Sequence, residues 1–271
     1  MNRWFLFWLP IGILLPALAW AGGPWAPERG KSLWILQYHT YGTARWTDAS
    51  GRARAYPYGG RYQARSALLY VEYGLGMNWT LEAYLPLAWQ LYRDSTGYEQ
   101  RYSSLRDQEL ALRRLLWREG GWLFALRGSL HLPWGYNPAR DPAAGYGRYG
   151  VGISGLLGIG HPGFWAVVEL GGRSYGSAGM QLRAEAIAGM HLKQRLRLWV
   201  QTSMLYAPVG GDEAPSLSPW AQVRQTVVKL SPTVAWQLSE GLTVQLSWDR
   251  DLYSRRSALG TGWRLGMWWQ P

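Results

Sequence analysis

The sequence predicts an all-β protein, a transmembrane antiparallel up-and-down β-barrel of about twelve strands that crosses an outer membrane. Three observations predict it: an N-terminal segment with the order of an export signal, apolar residues recurring at every second position, and Trp and Tyr concentrated toward strand ends.

The export signal comes first in the chain. Arg3 precedes an uncharged apolar stretch from Trp4 to Leu18 that closes with Ala19-Trp20-Ala21. That stretch suits the roughly 7 to 15 residues of a signal core and falls short of the roughly 18 that would span a bilayer. Cleavage is expected near Ala21, which divides the chain into a signal peptide at 1–21 and a single barrel at 22–271. Nothing later forms an uninterrupted apolar run of membrane-helix length, and the mean hydropathy of −0.21 suits a chain that alternates instead. With no Cys, disulfides, thiolate metal sites and a lipidated N-terminal cysteine are all excluded. The 19 Trp and 17 Tyr stand against 4 Phe, a bias toward rings with a polar tip, which prefer the lipid-water boundary. The formal charge of +11 includes Arg3 of the signal. Export argues against nucleic acid as a partner. It points instead to lipopolysaccharide phosphates or anionic solutes, besides outer-membrane lipid and the barrel-assembly machinery.

The strands follow in order at 32–42, 62–73, 79–92, 106–117, 121–132, 149–160, 163–173, 180–192, 195–206, 223–237, 242–249 and 262–269. The clearest is 79–92, where Trp79, Leu81, Ala83, Leu85, Leu87, Trp89 and Leu91 alternate with Thr80, Glu82, Tyr84, Pro86, Ala88, Gln90 and Tyr92. A helix would have to bury Glu82 and Gln90 and would break at Pro86, whereas a strand gives up one ladder bond there. The same period of two returns where Leu126 and Leu130 flank Arg127 and Ser129, where Leu182 and Ala184 flank Arg183, and where Leu265 and Met267 flank Gly266. Connections alternate between short turns and longer polar loops at 43–61, 93–105, 133–148, 174–179, 207–221 and 250–260. Such asymmetry is that of barrels with tight periplasmic turns and longer outer loops.

Alternation alone does not say which face turns outward, because a soluble barrel gives the same pattern. Tryptophan placement decides it. Trp34, Trp79, Trp117, Trp122, Trp165, Trp236 and Trp269 fall near short-turn ends, and Trp46, Trp89, Trp134, Trp220, Trp248 and Trp263 near long-loop ends, as two aromatic girdles would.

With apolar faces toward lipid, the lumen is expected to carry Glu72, Glu82, Glu109, Arg113, Arg127, Glu169, Arg173, Arg183, Glu185, Arg197, Lys229, Asp249 and Arg264. These form either an ion-pair lattice that fills the interior or the wall of a water-filled passage whose basic excess favours anions. Arg114 turns toward lipid near a short turn, where its long chain can reach the interface. The loop arginines, Arg45, Arg52, Arg54, Arg61, Arg93, Arg101, Arg140, Arg148, Arg255 and Arg256 among them, suit a solvated rim or lipopolysaccharide phosphates. No catalytic or metal site is expected, and no cofactor. Ser129 and His131 share one strand face but lack a demonstrable third partner, and His39, His161 and His191 lie on separate segments.

Glu72-Tyr73-Gly74-Leu75 followed by Trp79-Thr80-Leu81-Glu82, then Asp107-x-Glu109-Leu110 with Leu116-Trp117, resembles Gram-negative outer-membrane barrels named as transporters or linked to aromatic degradation or exopolysaccharide. The resemblance extends over most of the mature chain and implies a porin-like channel or transporter for small molecules. The alternative is a closed barrel serving as an accessory subunit of an envelope export or polysaccharide system; a lipid hydrolase ranks below both. Trp268-Trp269-Gln270-Pro271 departs from the terminal aromatic common in such barrels.

Overall fold

The computed structural model describes residues 23–137, 145–207 and 225–271, so the expected signal peptide lies outside the described residues. Strand β1 (Ser32–Thr43) leads through a loop hairpin of β2 (Arg45–Thr47) and β3 (Ala53–Ala55) into β4 (Arg61–Gly76). Next, β5 (Trp79–Arg93) pairs with two successive pieces, β6 (Glu99–Leu105) and β7 (Gln108–Glu119), which make one wall strand interrupted at Arg106-Asp107. The meander continues through β8 (Trp122–Leu132), β9 (Gly150–Gly160), β10 (Phe164–Ser174) and β11 (Met180–Lys193). It ends with β12 (Leu196–Tyr206), β13 (Thr226–Ser239), β14 (Leu242–Arg255) and β15 (Thr261–Trp269).

All wall pairings are antiparallel, and β1 bonds to both β4 and β15, which closes the sheet on itself. With β6 and β7 counted as one strand, the wall has twelve strands, as the sequence predicts. Closure pairs the wall strands on both sides, the condition for strands to cross hydrocarbon, and the short β6, bonded to β5 alone, lies at the long-loop end. Among the described residues no helix is long and apolar enough to cross a membrane.

Burial along the strands is inverted relative to a soluble barrel. On β5, Leu81 is 45% exposed while its neighbour Glu82 is 2% exposed, and Leu85 and Trp89 repeat the outward pattern against Ala88 and Gln90. The chain is therefore an outer-membrane type barrel with apolar side chains outside and polar ones enclosed.

Two departures from the sequence reading have local causes. The 93–105 loop contains β6, because Glu99-Gln100-Arg101-Tyr102-Ser103-Ser104 alternates without an apolar face to reveal it. The Pro86 carbonyl accepts the Arg106 N–H at 2.8 Å, and the missing Pro86 N–H falls opposite the interruption between β6 and β7. Short hairpins turn through left-handed residues, Met77 (φ 48°) and Asn78 (φ 65°) between β4 and β5, as type I′ turns require.

Trp34, Trp89, Trp117, Trp122, Trp134, Trp236, Trp263 and Trp269 are exposed. Trp165 is the correction: it shares the inward row of Val167 and Glu169 and is 3% exposed, so it belongs to the lumen. Arg114 faces outward, its guanidinium 5.1 Å from the Trp79 ring. Trp220 lies outside the described residues.

Candidate functional site in the barrel lumen

The inward rows of adjacent strands place charged side chains side by side, and one wall carries a continuous ion-pair ladder. Arg113 on β7 reaches Glu72 on β4 at 3.0 Å and Glu82 on β5 at 2.9 Å. Arg127 on β8 takes the second Glu82 oxygen at 2.7 Å and also pairs with Glu109, whose other oxygen holds Arg173 on β10 at 2.8 Å. Both oxygens of Glu82 and of Glu109 meet a guanidinium, and Glu72 divides its two between Arg113 and the Tyr70 hydroxyl, which donates at 2.8 Å, so these deeply buried charges compensate one another. Glu169 stands beside this ladder, in the chamber wall with Arg127 and Arg173.

The opposite wall holds a smaller set. Asp249 on β14 binds Arg264 on β15 at 2.9 Å and His39 on β1 at 3.0 Å. Lys229 on β13 approaches Asp251 at 3.7 Å, and Tyr41 donates its hydroxyl to Asp251 at 2.6 Å. Between the walls, Arg183 and Glu185 on β11 lie 3.7 Å apart. Arg197 stands apart from all of these, bonded to Gln237 at 2.9 Å near the short-turn end of β12.

Between the two walls lie two chambers, of about 350 Å³ toward the short turns and about 480 Å³ toward the long loops. Both are lined by Tyr84, Arg106, Tyr146, Arg183 and Arg264, so they adjoin inside the barrel. The floor of the lower chamber is aromatic. Trp165, Trp199 and Ala235 form a buried cluster on which Trp25, Ile187 and Trp268 pack. Trp25 arrives from the segment that precedes β1. Gly30 and Lys31 pair with Gly74, and the Trp25 carbonyl accepts from Arg113 Nη2 at 3.1 Å. This segment crosses the short-turn mouth inside the barrel. At Gly158 the wall comes so close that a Cβ would stand 2.5 Å from Pro24.

The roof is formed by Tyr136 and Tyr146, from the described ends of the connection between β8 and β9. Asp107, in the interruption between β6 and β7, accepts from the Tyr136 hydroxyl and from the Tyr146 N–H, the latter at 2.8 Å. Burial, and then the bond to Asp107, holds the Tyr136 hydroxyl far above its ordinary pKa, so it remains a donor. Tyr146 packs edge-on against Tyr175 with ring centres 4.9 Å apart.

Arg106, Asp107 and Asp251 join the expected lumen residues: Asp107 has the parity of Glu109, whereas Arg106 has the opposite parity and Asp251 lies beyond the expected strand end. Among the described residues the one-base excess expected in the lumen disappears with them, because two acids are added against one base. Two further groups matter: Gln245 Oε1 and Trp268 Nε1, on neighbouring strands in the lower chamber, have no hydrogen-bond partner among the described residues.

Ser129 Oγ lies 3.3 Å from His131 Nε2, and His131 Nδ1 lies 3.4 Å from Glu109, an order reminiscent of a hydrolytic triad. The surroundings do not serve that chemistry. Glu109 is engaged by Arg127 and Arg173, and Ser129 faces Gly152 in a void of about 10 Å³, with no room for an acyl group. Among the described residues no cluster of His, Cys, Asp or Glu could hold a metal ion.

A family model described as "Putative MetA-pathway of phenol degradation" matches residues 45–265. No curated protein matches the chain. Among solved structures, the fold is similar to an outer membrane channel from Pseudomonas putida F1, at 14% identity and a TM-score of 0.72, covering 93% of this chain and 100% of that one. It is also similar to the translocator domain of the autotransporter NalP from Neisseria meningitidis, at 13% identity and a TM-score of 0.51 over 90% of this chain and 89% of that one. A deletion mutant of TodX, a monoaromatic hydrocarbon channel, matches at 8% identity and a TM-score of 0.50, covering 91% of each chain. At such identities the likeness is one of fold.

Proposed function

The chain belongs to this phenol-degradation family, and on that premise we propose that it is an outer-membrane channel for small molecules, with ring-bearing solutes as its cargo. The observation that carries the reading is the pair of adjoining chambers with a tryptophan floor. The solved barrels it resembles support it, one being an outer membrane channel and another a monoaromatic hydrocarbon channel. In the lower chamber, the free Trp268 N–H and Gln245 oxygen are a donor and an acceptor beside aromatic walls, which suits a ring bearing one hydroxyl. In this reading the ion pairs are a scaffold that keeps the lumen open without leaving charges unpaired. Residues 1–21 are removed on export, so protein recovered from outer membranes begins near Gly22. Its partners are outer-membrane lipid, lipopolysaccharide and the machinery that inserts barrels.

The test is reconstitution. Purified protein in planar bilayers should give stepwise conductance, and loaded proteoliposomes should take up phenol several-fold faster than protein-free vesicles. Gln245→Leu should narrow the preference for phenol over toluene. A second reading, a closed barrel acting as an accessory subunit, draws on the segment through Trp25 that fills the short-turn mouth. Silence at high protein load, both from the intact barrel and from one lacking residues 23–29, would favour it and end the channel reading.

A further inference from the structure

The outward rows of β4 and β5 are apolar for most of their length and then become basic, and the outward row of β6 beside them is polar from Ser103 onward. On β4 the row runs Tyr73, Val71, Leu69 and Ala67 before reaching Arg65 and Arg61; on β5 it runs through Leu85, Leu87 and Trp89 to Arg93. Arg65 stands opposite Trp89, and Arg61 stands opposite Arg93. The row from Trp79 to Trp89, at about 3.3 Å per residue and a tilt of about 40°, rises about 25 Å, the height of the apolar band of an outer-membrane barrel. The arginines therefore emerge at the boundary of the outer leaflet, on the lipid side.

Like charges directly opposite across two strands are destabilising. Arg61 and Arg93 are such a pair, and both are exposed. On β6 the outward row adds Arg101 and Glu99, and Glu99 is already bonded to Arg101 at 2.6 Å. The sector thus sets four guanidinium groups against one occupied carboxylate in its outward rows. Other sectors differ at this height. On β14 and β15 the outward residues are Trp248 and Trp263, with Arg250 lying over the Trp248 ring at 5.9 Å.

From this placement we propose that the outward face formed by Arg61, Arg65, Arg93 and Arg101 binds the phosphates of lipid A, the lipopolysaccharide anchor of the outer leaflet. Guanidinium forks match phosphate oxygens two at a time, and acyl chains descending from lipid A would lie along Leu69, Leu85 and Leu87 below. A phosphate between Arg61 and Arg93 converts their repulsion into two attractions. The inference narrows the partner assignment to one sector; it rests on the outer-membrane location and is independent of transport.

The experiment compares the wild-type barrel with an Arg61→Gln/Arg65→Gln/Arg93→Gln variant, both purified from outer membranes in mild detergent. Heat-modifiable gel migration shows that each is folded. Native mass spectrometry then counts bound lipopolysaccharide, and the unfolding temperature is read after adding bisphosphorylated lipid A, dephosphorylated lipid A, phosphatidylglycerol vesicles or inorganic phosphate. Wild type should retain several-fold more lipopolysaccharide and be stabilised by bisphosphorylated lipid A alone. The glutamine variant should lose both effects, and the matching triple lysine variant should keep part of them. An Arg45→Gln/Arg52→Gln/Arg54→Gln variant in the loop hairpin should behave as wild type. Equal retention by the two main forms, equal protection by phosphatidylglycerol, or full protection by inorganic phosphate would each overturn the assignment. Bilayer conductance of the glutamine variant, measured in parallel, reports separately on the channel.

Discussion

Position in the wall decides what an ion pair contributes. Glu82 is buried and shared by Arg113 and Arg127, whereas Asp48 and Arg54 meet at 2.9 Å in an exposed loop hairpin. Removing Glu82 leaves two enclosed guanidinium groups each short of a partner, a loss of about 3–5 kcal/mol for a broken buried pair. Removing an exposed partner costs little, because water and salt screen the pair. Glu82→Ala should therefore lower the urea midpoint of the barrel in detergent sharply, while Arg54→Ala leaves it nearly unchanged; equal midpoints would show that the ladder is not structural. The inward direction of Glu82, Glu109 and Arg113 was legible in the sequence, because a strand of period two puts alternate residues on one face. Asp107 shares the parity of Glu109 in the expected strand, but its role was not legible, since its partners Tyr136 and Tyr146 come from a distant loop and the interruption at Arg106-Asp107 has no local signal. Asp251 was hidden for another reason. The sequence ends the strand at Asp249 and reads Arg250-Asp251 as the start of a polar loop, yet β14 continues through them with Asp249 and Asp251 both inward.

Among elements, the least legible was the segment before β1. Pro24-Trp25-Ala26-Pro27-Glu28-Arg29 has no period and reads as a linker, but its backbone is held inside the barrel by Arg113 and its indole by the tryptophan cluster. Those contacts depend on residues far away in sequence, which no local pattern encodes. Gly158 offers a way to test the role of this segment from the wall side. A Val at this position would put its branched side chain where Pro24 now lies, and the cheaper response is for the segment to move rather than for two bonded strands to separate. Gly158→Val should raise unitary conductance severalfold, as should Trp25→Ala, with unchanged heat-modifiability. If both variants conduct like wild type, the segment does not limit the passage.

For the whole molecule, the inversion of polarity and the closure of the sheet were readable, but the distribution of net charge was not. The chain carries a formal charge of +11, and a basic lumen is the simple inference from it. Among the described residues the lumen instead balances its acids and bases, largely in direct pairs, and further basic charge lies on the outward and loop arginines. Field strength along a pore depends on the charges that line it, and exposed charges farther than about 8–10 Å are largely screened at physiological salt. Under a KCl gradient the barrel should therefore show a reversal potential near zero, with cation and anion permeabilities within about twofold of each other by this screening argument. Arg264→Glu, which sets a second carboxylate beside Asp249 in the wall of both chambers, should shift the channel toward cations. Arg197→Glu, outside both chambers, should shift it much less. Strong anion selectivity in the wild type, or equal shifts in the two variants, would show that the pore follows the overall charge of the protein and not the paired lining described here.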